Sequence, residues 1–226
     1  FFYNRLPKLP PSAPPIETQL RPVVYRHVLG TNPASDKAVF GIGVNHGIPM
    51  VPTDIGEVVE TPGSPYVVAF IAHGVLNEVT AYAETLAELN SKRPAWRKLV
   101  DVADDVTGAS AQGTILYLLT HKNAPNFKIV AIDMTHPNLA RAKVVVPTSS
   151  HGVVEALSAA RDGLYVQARD GGIGQVVRVR VAAGGAPLGR DSVRVPYQGN
   201  IVALTTDPRV DGATFGLTAW TKTLLY

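Results

Sequence analysis

Short apolar runs rich in Val, Leu, Ile and Tyr return along this chain at a nearly fixed interval, and that interval limits the fold more than any other feature. Tyr66, Tyr117, Tyr165 and Phe215 each sit in such a run, separated by 51, 48 and 50 residues. A second marker keeps the spacing, because Val-Val-Val-Pro ends at Pro147 and Val-Arg-Val-Pro ends at Pro196, 49 residues on. Each interval holds about four short strands bounded by Gly, Pro, Asp or Asn. Four strands recurring at ~40–50 residues is the pattern of a β-propeller blade. A β-sandwich also spaces its strands at ~8–12 residues, but it gives no reason for the longer period. The expected fold is all-β, a partial β-propeller of four-stranded antiparallel blades.

Complete blades are expected at residues 56–101, 102–147 and 148–196, with partial blades at 1–55 and 197–226. The first complete blade reads as strands at 56–60, 66–71, 79–85 and 96–100. The second reads as 106–110, 115–120, 128–133 and 142–146, and the third as 153–159, 164–168, 176–181 and 191–195. Partial blades supply 1–3, 23–28 and 37–40 at one end, and 200–206, 214–220 and 224–226 at the other. Residues 79–89 are ambiguous, since their Ala, Glu and Leu are good helix formers. Blade register asks for strand there, running into a helical turn before Asn90. Residues 7–22 carry six prolines, which favours an extended, water-facing insertion between strands. Open ends leave apolar blade faces uncovered, so the isolated chain is expected to self-associate.

Composition agrees with many short elements: Gly 20 and Pro 18 are spread along 226 residues, and the hydrophobic fraction of 46% suffices for a packed core. With Cys at 0, disulfides and Cys-based metal sites are excluded. A net charge of +3 is a weak field. The densest basic group (Lys92, Arg93, Arg97, Lys98) stands beside Asp101, Asp104 and Asp105, so nucleic acid is not an expected partner. No apolar run approaches the ~18 residues of a membrane span, and no membrane partner is expected. The chain opens on Phe1 rather than Met and lacks a signal-peptide pattern. It reads as a fragment beginning inside a folded domain, with its compartment, cytoplasmic or periplasmic, left open.

Catalytic patterns are weak. Gly108-Ala109-Ser110-Ala111-Gln112-Gly113 misses the spacing of a nucleophile elbow and is expected as a hairpin turn. Gly41-Ile42-Gly43 and Gly172-Ile173-Gly174 lack the third glycine of a dinucleotide loop and read as turns. His121, His136 and His151 are evenly spaced but fall on different loops, as do the remaining histidines His27, His46 and His73. Asp104-Asp105 reads as a solvated pair on a connecting turn. No catalytic residue, metal or cofactor is expected in this chain.

Several segments nevertheless resemble, in order, the propeller of the prolyl oligopeptidase family of serine peptidases. Phe1-Phe2-Tyr3-Asn4-Arg5 is followed by Val24-Tyr25-Arg26-His27-Val28-Leu29-Gly30-Thr31 and then by Asp36-Lys37-Ala38-Val39-Phe40. Trp96-Arg97-Lys98-Leu99-Val100-Asp101, the stretch from Leu119 to Lys128 and the stretch from Ala213 to Thr221 are similar to later family segments. The resemblance implies a seven-bladed propeller capping an α/β-hydrolase domain, which would be this chain's partner. It also implies hydrolysis of short peptides after proline by a Ser–Asp–His triad in the hydrolase domain, which this chain does not contain.

The family's propeller face lines part of the substrate cavity. Matching positions here are Phe2, an aromatic able to pack on a peptide side chain, and the loop Ala72-His73-Gly74-Val75, so Phe2, His73 and Val75 are the substrate-cavity candidates. Well-studied members carry Arg where this chain has Ala72. Phe2 also reads as blade core and His73 as a plain loop residue. A different class, the non-enzymatic WD or kelch interaction propeller, lacks support: no Gly-His…Trp-Asp pairs recur, and double glycines occur only at Gly171-Gly172 and Gly184-Gly185.

Overall fold

The computed structural model describes residues 1–91 and 94–226, so Lys92 and Arg93 of the basic group lie outside the described residues. Its Cα packing divides into two compact units, residues 1–60 with 65–103, and residues 61–64 with 104–226. Both are all-β.

The first unit holds two antiparallel sheets. Strands β1 (Phe2–Arg5), β2 (Val23–Arg26) and β3 (Lys37–Gly41) pair in chain order, as do β4 (Ile55–Glu60), β5 (Tyr66–Ala72), β6 (Val79–Thr85) and β7 (Arg97–Val100). Strand β4 alternates exposed and buried residues, as expected of a strand with one wet face. Central β5 is buried at five of its seven positions, all but half-exposed Phe70 and exposed Ala72, the continuous apolar run of a strand covered on both faces. The ambiguous stretch resolves as strand, because β6 finds a ladder on both sides, with β5 and β7. A single 3-10 turn follows at Glu88–Asn90. Residues 7–22 leave β1 and return into β2, with a 3-10 turn at Pro15–Gln19. The Arg21 N–H donates to the Pro52 carbonyl at 2.8 Å and ties the end of this insertion down.

Val24, Phe40, Val67, Ala69, Ile71 and Tyr82 form the core between the two sheets. Phe40 meets Trp96 edge-on at 5.1 Å between ring centroids. A Cβ at Gly56 would stand 2.9 Å from the Phe40 ring, so the ring lies against β4 only because residue 56 is glycine. Asn4 Nδ2 donates to the Gly56 carbonyl at 2.9 Å, joining β1 to β4.

The second unit holds three sheets. They are β8 (Val106–Gln112), β9 (Ile115–Thr120), β10 (Lys128–Asp133) and β11 (Lys143–Val146); β12 (Gly152–Ala160), β13 (Gly163–Asp170), β14 (Ile173–Val181) and β15 (Pro187–Ser192); and β16 (Asn200–Thr205), β17 (Thr214–Ala219) and β18 (Lys222–Leu225). Every sheet pairs its strands antiparallel in chain order. Tyr117, Leu119, Ile129, Val145, Val166 and Val179 belong to the core between the first two sheets.

Polar stitches also join successive sheets of this unit. Gln112 Nε2 donates to the Ala160 carbonyl at 2.7 Å, the Ala159 N–H to Ser110 Oγ at 2.9 Å, and the Gly174 N–H to the Gly199 carbonyl at 2.8 Å. Such bonds fix how far each sheet can slide on the next, which apolar contact alone does not.

Two expectations fail locally. The strand expected at 191–195 lies instead at Pro187–Ser192, because Val193 and Val195, whose alternation suggested it, turn away to pack under the following sheet. The turn expected at Gly108–Gly113 is mostly strand: β8 runs through Gln112, and the reversal is confined to Gly113-Thr114.

Candidate functional site

The three substrate-cavity candidates all lie in the first unit, in unlike settings. Phe2, on β1, is half-buried and packs against the Val24–Phe40–Ile71 core. His73 opens the β5–β6 turn, directly after Ala72, whose partner across the ladder is Ile55. Val75, at the tip of the same turn, is 99% exposed. Phe2 and the strand that leads into His73 therefore meet in one core cluster through Ile71, while Val75 projects from it into solvent.

His73 is committed on both sides of its ring. Its Nδ1 lies 3.2 Å from Asp54 Oδ1, and its Nε2 lies 2.9 Å from Thr80 Oγ1. With Nδ1 donating to the carboxylate, Nε2 accepts the Thr80 hydroxyl. The other Asp54 oxygen accepts the Val51 N–H at 2.8 Å. A hydroxyl–imidazole–carboxylate chain is also the layout of a serine hydrolase triad. Here the hydroxyl belongs to a residue only 7% exposed, inside a sheet, where an acyl carbon has no approach. The chain of bonds instead fixes the β5–β6 turn against the start of β4.

The aromatic and basic residues of the opening motif form a second network. Asp36, whose side chain is 2% exposed, accepts the Tyr3 hydroxyl at 2.8 Å and lies 2.9 Å from His27 Nδ1. Arg5 hydrogen-bonds the Tyr3 hydroxyl, donates to the Pro33 carbonyl at 3.0 Å and stacks 3.9 Å from the Tyr25 ring centroid. Phe1 packs on the His27 ring at 5.1 Å. Burial pushes the Asp36 carboxyl up, but the bonds from Tyr3 and His27, with the Arg5 charge, hold it below the usual carboxylate value. Burial, followed by the hydrogen bond to Asp36, pushes the Tyr3 phenol up. These motif residues satisfy one another, so their spacing encodes a clasp across β1, β2 and the 3-10 turn before β3.

One cavity of the first unit escaped the sequence. It measures about 630 Å³ and is lined by Val44, His46, Ile48 and Trp96, among others. The Trp96 Nε1 there is buried without a hydrogen-bond partner among the described residues. Trp96 stood out in the sequence only as part of a motif, since its cavity is closed by residues some fifty positions away. Asp104, read as one of a solvated pair, bonds Lys122 Nζ at 3.0 Å, and its backbone carbonyl accepts the Thr120 hydroxyl at 2.8 Å. Among the described residues, no three His, Cys, Asp or Glu side chains are placed to hold a metal ion, and no helix is long and apolar enough to cross a membrane.

Comparison with known proteins gives a consistent family. Residues 1–221 match the model of the prolyl oligopeptidase N-terminal β-propeller domain. The prolyl oligopeptidase ophP of Omphalotus olearius is 26% identical over 196 residues, which are 84% of this chain and 25% of that protein. A solved prolyl endopeptidase superposes with a TM-score of 0.78 at 22% identity, covering 99% of this chain and 31% of that one. Prolyl oligopeptidase B from Galerina marginata superposes with a TM-score of 0.72 at 16% identity, covering 96% of this chain and 28% of that one. At these identities the solved structures show the fold. The chain spans about a quarter of the curated relative and less than a third of these solved chains. It belongs to the prolyl oligopeptidase family, as part of the N-terminal β-propeller domain.

Proposed function

We propose that this chain is the part of a prolyl oligopeptidase-like serine peptidase that lines and gates the substrate cavity. The family match over residues 1–221 carries the reading. On this reading the sheets are blades of a seven-bladed parent, complete at 56–101, 102–147 and 148–196 and partial at 1–55 and 197–226. An α/β-hydrolase domain supplies the nucleophile, acid and base, and the complete enzyme hydrolyses short peptides after proline. The chain itself performs no bond cleavage.

Phe2 and the His73–Val75 turn form the substrate-facing surface in this proposal. Phe2 offers a half-buried ring for the apolar side chains of a peptide, and the solvent-exposed Val75 adds a small apolar contact. His73 acts by positioning Val75, since its own ring nitrogens are engaged by Asp54 and Thr80. The test is steady-state kinetics of the complete peptidase on a proline-containing chromogenic peptide. Phe2→Ala is expected to raise KM about tenfold with kcat nearly unchanged, as for loss of binding shared by ground and transition states. Val75→Asp is expected to act in the same direction. Unchanged KM in both variants would remove these residues from the cavity, and a coding region with no downstream Gly-x-Ser-x-Gly hydrolase domain would remove the activity.

A further inference from the structure

A carboxyl group sits inside the core of the first unit and takes no part in the proposed function. Glu84, on β6, is 1% exposed. Its ladder partner on β5 is Val67, and Val67 and Tyr82 belong to the core that also holds Phe40 and Trp96. Side chains alternate along a strand, so Glu84 shares the inward face with Tyr82, two residues earlier. A charge buried in such a place is costly unless it is paired. Glu84 Oε1 accepts the Thr85 N–H at 2.7 Å, and the Ala95 N–H also donates to this carboxyl. Oε2 meets no N–H or hydroxyl donor among the described residues.

What this carboxyl meets instead is the carboxyl of Glu88, which opens the 3-10 turn at Glu88–Asn90. Two carboxyl groups bond only with a proton between them, because each is otherwise an acceptor. Burial, followed by the bond to Glu88, pushes the Glu84 carboxyl up, while the bonds from Glu84 and Thr85 hold Glu88 below its usual value. The proton therefore resides on Glu84, and Glu88 is the charged partner. Thr85 holds Glu88 in place, its hydroxyl donating to Glu88 Oε2 at 3.0 Å and accepting the Glu88 N–H at 3.1 Å. Leu89, the next residue of the turn, is 4% exposed and belongs to the same core. Among the described residues, the other charged or titratable groups around the pair are Tyr82 on the same strand, Arg97 and Lys98 on β7, and His46, which lines the cavity with Trp96.

We propose that Glu84 and Glu88 form a proton-operated latch on the connection from β6 to β7. With the shared proton in place, the turn is held down and Leu89 stays seated in the core. When the proton leaves for water, two carboxylates face each other in a poorly solvated corner, and like charges there repel strongly. Glu84 is fixed, because β6 is laddered on both sides and its carboxyl is held by the Thr85 and Ala95 N–H groups. Glu88 is exposed, so the turn yields, drawing Leu89 out of the core and letting water reach Trp96. The latch opens as pH rises. Since burial raises the Glu84 value in the folded chain, the closed form is fully present below the usual 4.5 and is lost as pH climbs through the higher folded value. The device is independent of Phe2 and His73 and of whether the parent is a peptidase.

The test follows Trp96 fluorescence and the urea midpoint of the full chain between about pH 4 and pH 9. A Trp220→Phe background leaves Trp96 as the one tryptophan, and Trp220 stands wholly in solvent, so its replacement leaves the fold intact. The expected result is a one-proton transition above pH 4.5, with Trp96 emission moving to the red and the urea midpoint falling as pH rises. Glu84→Gln keeps an amide donor for Glu88 but has no proton to lose, and it is expected to abolish the transition while retaining the low-pH emission. A transition belonging to His46 survives that change. Glu88→Gln removes the like charge and is expected to move the transition down by about one pH unit. Glu88 is exposed, so this second variant folds whatever Gln does at position 84. Flat emission across the range in the Trp220→Phe chain, a transition that persists in Glu84→Gln, or one that Glu88→Gln leaves in place would overturn the proposal.

Discussion

At the scale of single residues, the polar side chains that matter are those whose partners come from distant sequence. His73 answers a buried carboxylate 19 residues away and a buried hydroxyl 7 residues away. Replacing it with Ala leaves Asp54, 3% exposed, with an unpaired oxygen. His73→Ala is therefore expected to cost about 1–3 kcal/mol of stability, the usual penalty for orphaning a buried polar group, measured by urea denaturation. Asp36 carries a pH signature. Its carboxyl titrates below the usual value of 3.8 in the folded chain. Its stabilisation is present above the unfolded value and is lost as pH falls through the lowered folded one. The urea midpoint is expected to fall more steeply below about pH 4 in the wild type than in Asp36→Asn, the two curves converging toward acid. Neither residue could be assigned from sequence. His73 read both as a substrate-cavity candidate and as a plain loop residue, and the segments holding His27 and Asp36 carried only a family resemblance, whereas their bonds form a clasp.

Elements were more legible. Strand positions 115–120, 128–133 and 79–85 coincide with β9, β10 and β6, because runs of buried Val, Leu and Ile between turn residues have few other solutions. The error at 191–195 arose where alternation continued past the sheet edge, since Val193 and Val195 alternate for the core beneath the next sheet. Contact between successive sheets depends on close backbone approach that no pattern reports. A Cβ at Gly174 would stand 2.7 Å from the Ile201 nitrogen, where backbone cannot yield as a side chain would. Gly174→Ala is expected to destabilise the chain by about 1–3 kcal/mol, the range for overpacking a filled site, read from the thermal midpoint.

At the scale of the molecule, the period of about fifty residues fixed how many sheets there are, and physics of the last sheet sets its behaviour. Strand β18 leaves Leu224 and Leu225 about half exposed, and Trp220, at 106% of its reference area, stands wholly in solvent. An exposed apolar edge strand recruits another. Light scattering of the isolated chain is expected to show oligomers that grow with concentration, and Leu225→Lys is expected to reduce them; a strictly monomeric wild type would contradict this. By itself the sequence determined strand content, antiparallel hairpin order and the family resemblance, because these follow from local alternation, turn residues and motif order. Tertiary structure alone decided that His73 is tied on both ring nitrogens, that the opening motif is a clasp, and that Glu84 is buried against Glu88 and Ala95. Those facts depend on which residues meet across strands and sheets, and a one-dimensional pattern carries the period of such meetings but not their partners.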